Sequence, residues 1–480
     1  MRSTIWILVA CLLAALPARA AEHVPFEVTS TALADNLLGD SATKRCLVYL
    51  PPGYADTQRR FPVMYFYHGY TRGPGDYTAV SDAVDRLVRG GDMGDAIVVL
   101  VDGTNRLIGA YFLDSPVTGG FETYVSRDLV DAIDATYRTI PHRDSRAIMG
   151  HSTGGYNAMR IGLNHPDRFG AVSAHAGMYR WDTPEAIDYF RTGFPGPATL
   201  DDFDGLFWNT ADIIALYASA IPDTDNPPLH VTYPFDDVEG VLQRNEHWAR
   251  FVETDNMHAL ERHVTQPDRL RGIQLVHGRN DGLDATVKFE QAVMFSERLT
   301  ELGIDHELFA HDNEHQIQPE TGVRFLAQHL RYTPPGAPAI TRRSIPDVAT
   351  RVGQTTAIGA ALRLDGPMAN GTQLLLDASA LGIAAPVGLA PDGSGLFVAD
   401  LQVRPARSGL YQVPVLWEDN RGDRYYAATA RVSVYPRGDL VVLDEAIAPA
   451  WTVDASGGAN APDFDSGVSP VSGDAAGALA

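Results

Sequence analysis

Arg146–Arg160 reads RAIMGHSTGGYNAMR and contains a G-x-S-x-G with Ser152 at its centre. A short motif of this kind says little by itself, so its neighbours decide its meaning. Before the serine, RAIM (146–149) reads as a strand. After it, GGYNAMRIGLNHP (154–166) reads as a helix that the proline closes. A serine at such a strand-to-helix junction, between glycines that let backbones approach closely, has the context of an exposed nucleophile. A plain glycine-rich turn would not need that junction.

Outward from this stretch, residues 22–335 alternate between apolar strand-like runs and helical patterns, the signature of an α/β sheet. RCLVYL (45–50), FPVMYFY (61–67), AIVVLV (96–101), AVSAHA (171–176), IQLVH (273–277) and HELFA (306–310) read as strands. TYVSRDLVDAIDATY (123–137) and ATVKFEQAVMFSERLTELG (285–303) read as helices. The expectation is an α/β-hydrolase fold over residues 21–335. An insertion from about 178 to 271 interrupts it, rich in rings such as Trp181, Phe194, Phe207, Trp208, Tyr217, Tyr233, Phe235 and Trp248. These rings either fill a small subdomain of their own or shape a cap over the substrate, and a cap needs its own core. TPPGAPAITRRSIPD (333–347) is Pro-rich and places a linker at 336–347. Residues 348–436 show short alternating runs with turn signals at Asn370-Gly371 and Asp392-Gly393, which predict an immunoglobulin-like β-sandwich. Residues 437–480 dissolve into Gly, Ala, Ser and Asp, either as a disordered tail or as an incomplete further β module.

Composition narrows the partners. Thirty-eight basic against 60 acidic residues give a net charge of −22, which repels phosphate backbones and argues against nucleic acid. Arg2, the apolar run Ile5–Leu16 and Ala18-Arg-Ala20 read as a bacterial signal peptide cleaved near Ala20, so a secreted or periplasmic protein is expected. That run is too short to span a bilayer, and no integral membrane segment is expected in the mature chain. LVAC (8–11) resembles a lipobox, but lipidation at Cys11 would leave Leu12–Leu16 without purpose. Cleavage leaves Cys46 alone, without an intrachain disulfide partner.

A serine hydroxyl needs a base to take its proton and donors to hold the oxyanion. In this fold the order is serine, acid, histidine. IQLVH is followed by GRNDGLD (278–284), which places Asp281 in a loop at the carboxyl end of a late strand. Asp284 competes, but a carboxylate in the first turn of the next helix is already explained by the helix dipole. HELFAHDNEHQI (306–317) offers His306, His311 and His315. His315 lies in the loop past the strand, where it can reach Ser152. His151 reads as structural, and His258 and His263 as surface or cap residues. HDNEH (311–315) also matches H-x-x-E-H, a zinc pattern that requires a helix; a strand running into Asp-Asn disfavours one. The expected oxyanion donors are the backbone N–H groups of Thr153, after the nucleophile, and of Tyr70, in the HGYTRGPGDY turn (68–77).

Several stretches together resemble one esterase family, which includes S-formylglutathione hydrolase (esterase D), feruloyl esterases, enterochelin esterases and the antigen 85 mycolyltransferases. They are RCLVYLPPGY…RRFPVMYFYHGY (45–70), DGTNRLIGAYFLDSPVTGGFETYVSRDLV (102–130), GHSTGGYNAMRIGLNHPDRFGAVSAHAG (150–177) and GIDHELFAHDNEHQI (303–317). The resemblance implies Ser152 as nucleophile, Asp281 as acid, His315 as base, donors at Tyr70 and Thr153, and no metal or organic cofactor. It departs from the family at Asn313-Glu314, where glycines are frequent before the histidine, and in the long insertion. The expected substrate is a small-molecule or polysaccharide-linked ester. Acyl transfer to an alcohol would use the same triad, and a non-catalytic carbohydrate- or surface-binding protein on a hydrolase scaffold is the reading from another class.

Overall fold

The computed structural model describes residues 22–436, apart from Gly53, Ala198 and Ala285. The expected signal peptide with Cys11 and the stretch 437–480 lie outside the described residues. The chain divides into two units, one holding most of the chain up to Ala337 together with 368–372 and Trp417–Ala427, the other Pro338–Pro367, Gln373–Leu416 and the chain from Ala428.

The first unit is built on eight strands: β1 (Glu22–Thr29), β2 (Thr43–Leu50), β3 (Val63–Tyr67), β4 (Ile97–Val101), β5 (Arg146–His151), β6 (Ala171–His175), β7 (Gly272–Gly278) and β8 (Glu307–His311). Their order is β1-β2-β4-β3-β5-β6-β7-β8. β2 runs antiparallel to β1 and β4, and every pair from β4 to β8 is parallel. Helices cover both faces, so β3, β4, β5, β6 and β7 are buried from end to end; β3 and β4 are wholly apolar, and β5, β6 and β7 are largely so. The period-2 pleat splits them between two cores. Val63, Tyr65 and Tyr67 join the core containing Tyr124 and Ala158, while Met64 and Phe66 join that of Val84 and Leu326. The expected α/β-hydrolase-like sheet is present.

The 178–271 insertion holds a two-stranded ribbon, Phe235–Val238 with Val241–Arg244, and helices that include Pro184–Arg191, Trp208–Ala220 and Asn256–His263. Its rings do not form an isolated core. Trp181, Phe190, Tyr217 and Phe251 share one cluster with Tyr70, Tyr111 and Tyr156 of the sheet-bearing part of the unit.

In the second unit, Ile340–Ser344, Thr356–Leu364, Leu396–Val403 and Ala390–Pro391 form one antiparallel sheet. Val348–Arg351 and Gln373–Leu376 belong to another, with the second-unit portions of the strands Gly409–Glu418 and Arg424–Tyr435 between them. One expectation needs correction: the 336–347 linker contains the strand Ile340–Ser344, paired with Thr356–Leu364. Four of its five residues are exposed at the sheet edge, so no apolar alternation marked it in the sequence.

Candidate active site

Ser152 directly follows β5 and caps the helix Thr153–Asn164 with φ 60° and ψ −124°, a conformation costly for a non-glycine residue. The surroundings hold it there. Its N–H donates to the His175 carbonyl at 2.9 Å, and its own carbonyl accepts from Tyr156 N–H at 3.0 Å. The motif glycines are required by space. A Cβ on Gly150 would lie 2.0 Å from the Gly154 carbonyl oxygen, one on Gly154 2.1 Å from that of Tyr67, and one on Gly155 2.5 Å from that of His175.

The loop after β3 reaches the same point. A Cβ on Gly69 would sit 3.2 Å from Ser152 Cβ, so the backbone of Gly69-Tyr70 passes beside the serine. Two side-chain networks fix this loop. His68 Nδ1 donates to the Gly69 carbonyl and its Nε2 accepts from Gly103 N–H, at 2.9 and 3.0 Å. Gly69 N–H donates to the Tyr77 hydroxyl, which pairs with His151 Nδ1 at 3.0 Å. Burial lowers the pKa of both histidines, that of His151 well below the usual value, so each ring acts as a neutral hydrogen-bonding strut. Thr153 is buried at the first turn of the helix.

Asp281 follows β7 and is buried, with its N–H bonded to the Gly278 carbonyl. Its Oδ2 accepts from His315 Nδ1 at 2.7 Å, and the His315 ring lies 4.9 Å from that of His151. His315 Nε2 has no hydrogen-bond partner among the described residues. Asp284 is elsewhere: its Oδ1 accepts from the Thr286 N–H and hydroxyl at 2.7 and 2.6 Å. His306 pairs with Ser296. Asp312–His315 is a run of bends rather than a helix, so His311 and His315 do not share the helical face that H-x-x-E-H needs. Glu314 is exposed. His258 pairs with Asp255 on the insertion, and His263, on the same insertion helix, is buried against the Leu163 carbonyl.

Sequence reasoning missed two groups. His277 Nε2 lies 3.7 Å from Asp281 Oδ2 and also bonds the Val287 carbonyl; burial lowers its pKa and keeps it uncharged beside the acid. Asp212, in the helix Trp208–Ala220, accepts the Tyr111 hydroxyl at 2.8 Å. A lone carboxylate inside the apolar run ADIIALYASA was its only trace in the sequence.

The family described as "Putative esterase" matches residues 42–308. Esterase MT1326 of Mycobacterium tuberculosis (strain CDC 1551 / Oshkosh) is 29% identical over 135 residues, 27% of this chain and 28% of that protein. The endo-1,4-beta-xylanase/feruloyl esterase of Xylanibacter ruminicola is 29% identical over 157 residues, 30% of this chain and 22% of that one. The chain thus spans about a quarter of the length of these curated relatives. Among solved structures, an S-formylglutathione hydrolase from Agrobacterium tumefaciens is 17% identical with a TM-score of 0.42, covering 65% of this chain and 96% of that one. Since the family match runs over more than half of its residues, this chain belongs to that esterase family.

Proposed function

We propose that the protein is a serine esterase that hydrolyses a carboxylic ester through an acyl-enzyme on Ser152. The observation that carries this reading is the strained Ser152 turn together with the buried Asp281–His315 pair at 2.7 Å, drawn from three separate loops of one sheet. His315 Nε2 takes the proton from the Ser152 hydroxyl as Oγ attacks the ester carbonyl carbon. Asp281 holds the ring by its Nδ1–H and stabilises the imidazolium that forms. The N–H groups of Thr153 and Tyr70 receive the oxyanion. The tetrahedral intermediate collapses, the C–O bond breaks, and His315 Nε2 hands its proton to the leaving alcohol. Water then attacks the acyl-enzyme, with His315 again as base, releasing the acid and restoring Ser152. No step calls for a metal or an organic cofactor.

The aromatic-rich insertion and the appended β unit support an acyl or aromatic ester, including one linked to a polysaccharide. The Xylanibacter relative, an endo-1,4-beta-xylanase/feruloyl esterase, points the same way. The signal-peptide pattern supports export, and the two sheets of the second unit fit an immunoglobulin-like sandwich. Ser152→Ala should abolish p-nitrophenyl acetate hydrolysis and labelling by a serine-reactive phosphonate while circular dichroism stays unchanged. Activity retained in the folded variant would overturn the mechanism.

A further inference from the structure

Asp212 is 5% exposed within a helix that is buried from Ala211 to Ala220. A carboxylate there has lost its water and must be repaid by hydrogen bonds or lose its charge. The compensation is thin. Tyr111 donates to Oδ2 at 2.8 Å, while Oδ1 is buried without a partner among the described residues. Tyr111 comes from the loop after β4, and its ring packs 5.4 Å from Tyr156 of the helix that starts at Thr153. The Tyr111 loop is also bonded to that helix: Asn157 Oδ1 accepts the Phe112 N–H at 2.8 Å and its Nδ2 donates to the Ala110 carbonyl at 3.1 Å. Through Tyr111 the insertion is therefore linked to the helix that the nucleophile opens.

We propose that Asp212 is a positioning residue that ties the insertion to the oxyanion turn through Tyr111. This rests on the esterase reading above, in which Thr153 N–H receives the oxyanion. A negative charge on Asp212 would face the same turn that must bind a second negative charge as the ester carbonyl is attacked. In a buried setting that repulsion is poorly screened. The neutral acid has no such effect and still accepts the Tyr111 bond.

The surrounding groups fix the direction of the pH response. Burial, with a smaller push from Asp284, raises the Asp212 pKa to about 8, against the Tyr111 hydrogen bond that pulls it down. Asp284, on the acid loop, is itself raised by burial. Tyr111, Tyr70 and Tyr189 face the same carboxyl from three other segments, and burial raises all three above the usual tyrosine range. Asp212 thus gives up its proton before any of these tyrosines as pH rises. Below its midpoint the oxyanion turn is supported, and above it support is lost.

The test is the pH profile of p-nitrophenyl acetate hydrolysis by the full chain, corrected for the uncatalysed rate. The wild type should lose kcat along an alkaline limb with its midpoint near 8, with KM changing little. Asp212→Asn stays neutral and should keep its plateau without that limb. Tyr111→Phe removes a bond that favours the charged form, so its limb should move to higher pH; it also decides the matter if the Asn variant does not fold. A limb unchanged in both variants, or one carried by KM alone, overturns the proposal. Phosphonate labelling separates the two readings. If Ser152 is labelled and Ser152→Ala is inactive, failure of the pH test sinks only the role of Asp212.

Discussion

Gly278 and Asn313 meet across the two loops that carry the acid and the base: a Cβ added to Gly278 would lie 2.2 Å from the Asn313 carbonyl oxygen and 2.4 Å from that of Glu314. Gly278 ends β7 three residues before Asp281, and Glu314 directly precedes His315. In the resemblance described above, glycines are frequent just before the histidine. Here the loop holding the base is Asn-Glu, and the room comes from a glycine on the facing strand. The 2.7 Å contact between Asp281 and His315 depends on that close passage.

Gly278→Ala should therefore act on catalysis more than on folding. The obstruction is backbone, which cannot swing aside, so the His315 loop must shift. Overpacking of this kind costs about 1–3 kcal/mol of stability, while a misplacement near 1 Å costs on the order of a hundredfold in kcat. Steady-state kinetics and a thermal melt on the same preparation check both. Wild-type kcat in the Ala variant would show that the two loops do not need this contact.

Asp281 and Asp284 separate by substitution. Asp281→Asn removes the charge beside His315 and permits the wrong tautomer, so kcat should fall by roughly 10⁴. Asp284→Asn leaves the Asp281–His315 bond intact and keeps an oxygen for Thr286, so its loss should stay below about tenfold. Comparable losses in the two variants would reverse the assignment.

Much of this was readable because β3 to β7 lie buried on both faces, and such strands appear as mainly apolar stretches. The elbow was readable because its glycines are imposed by backbone contacts within a few residues and by the neighbouring strand. What stayed hidden depends on packing between distant segments. The Tyr111–Asp212 bond joins residues about a hundred apart, and no local pattern announces it. His277 occupies an inward position of an apolar strand, so its closeness to Asp281 emerges only with the loop geometry. The insertion rings look alike in sequence, yet Trp181 is fully buried and Phe207 is 68% exposed. Which ring turns inward is settled by the contact with Tyr70 and Tyr111, not by residue type.

Acid should destabilise the protein from just below neutrality, ahead of the range in which carboxylates titrate. His175 is fully buried, its Nε2 bonded to Ser173 Oγ at 3.0 Å and its Nδ1 accepting Gln318 N–H at 3.2 Å. Protonating Nδ1 would set an N–H against an N–H, and burial lowers the pKa to about 3. His68, His151 and His277 are lowered by burial too. A histidine depressed in the folded state binds its proton more readily when unfolded. Its contribution is complete above the unfolded value of about 6.5 and is lost as pH falls from there toward the folded value. The melting temperature should decline steadily from pH 7 to pH 5, and His175→Gln, which removes one such group, should show a shallower decline. A melting temperature flat over that range would mean that these imidazoles take up protons in the folded protein as readily as in the unfolded chain.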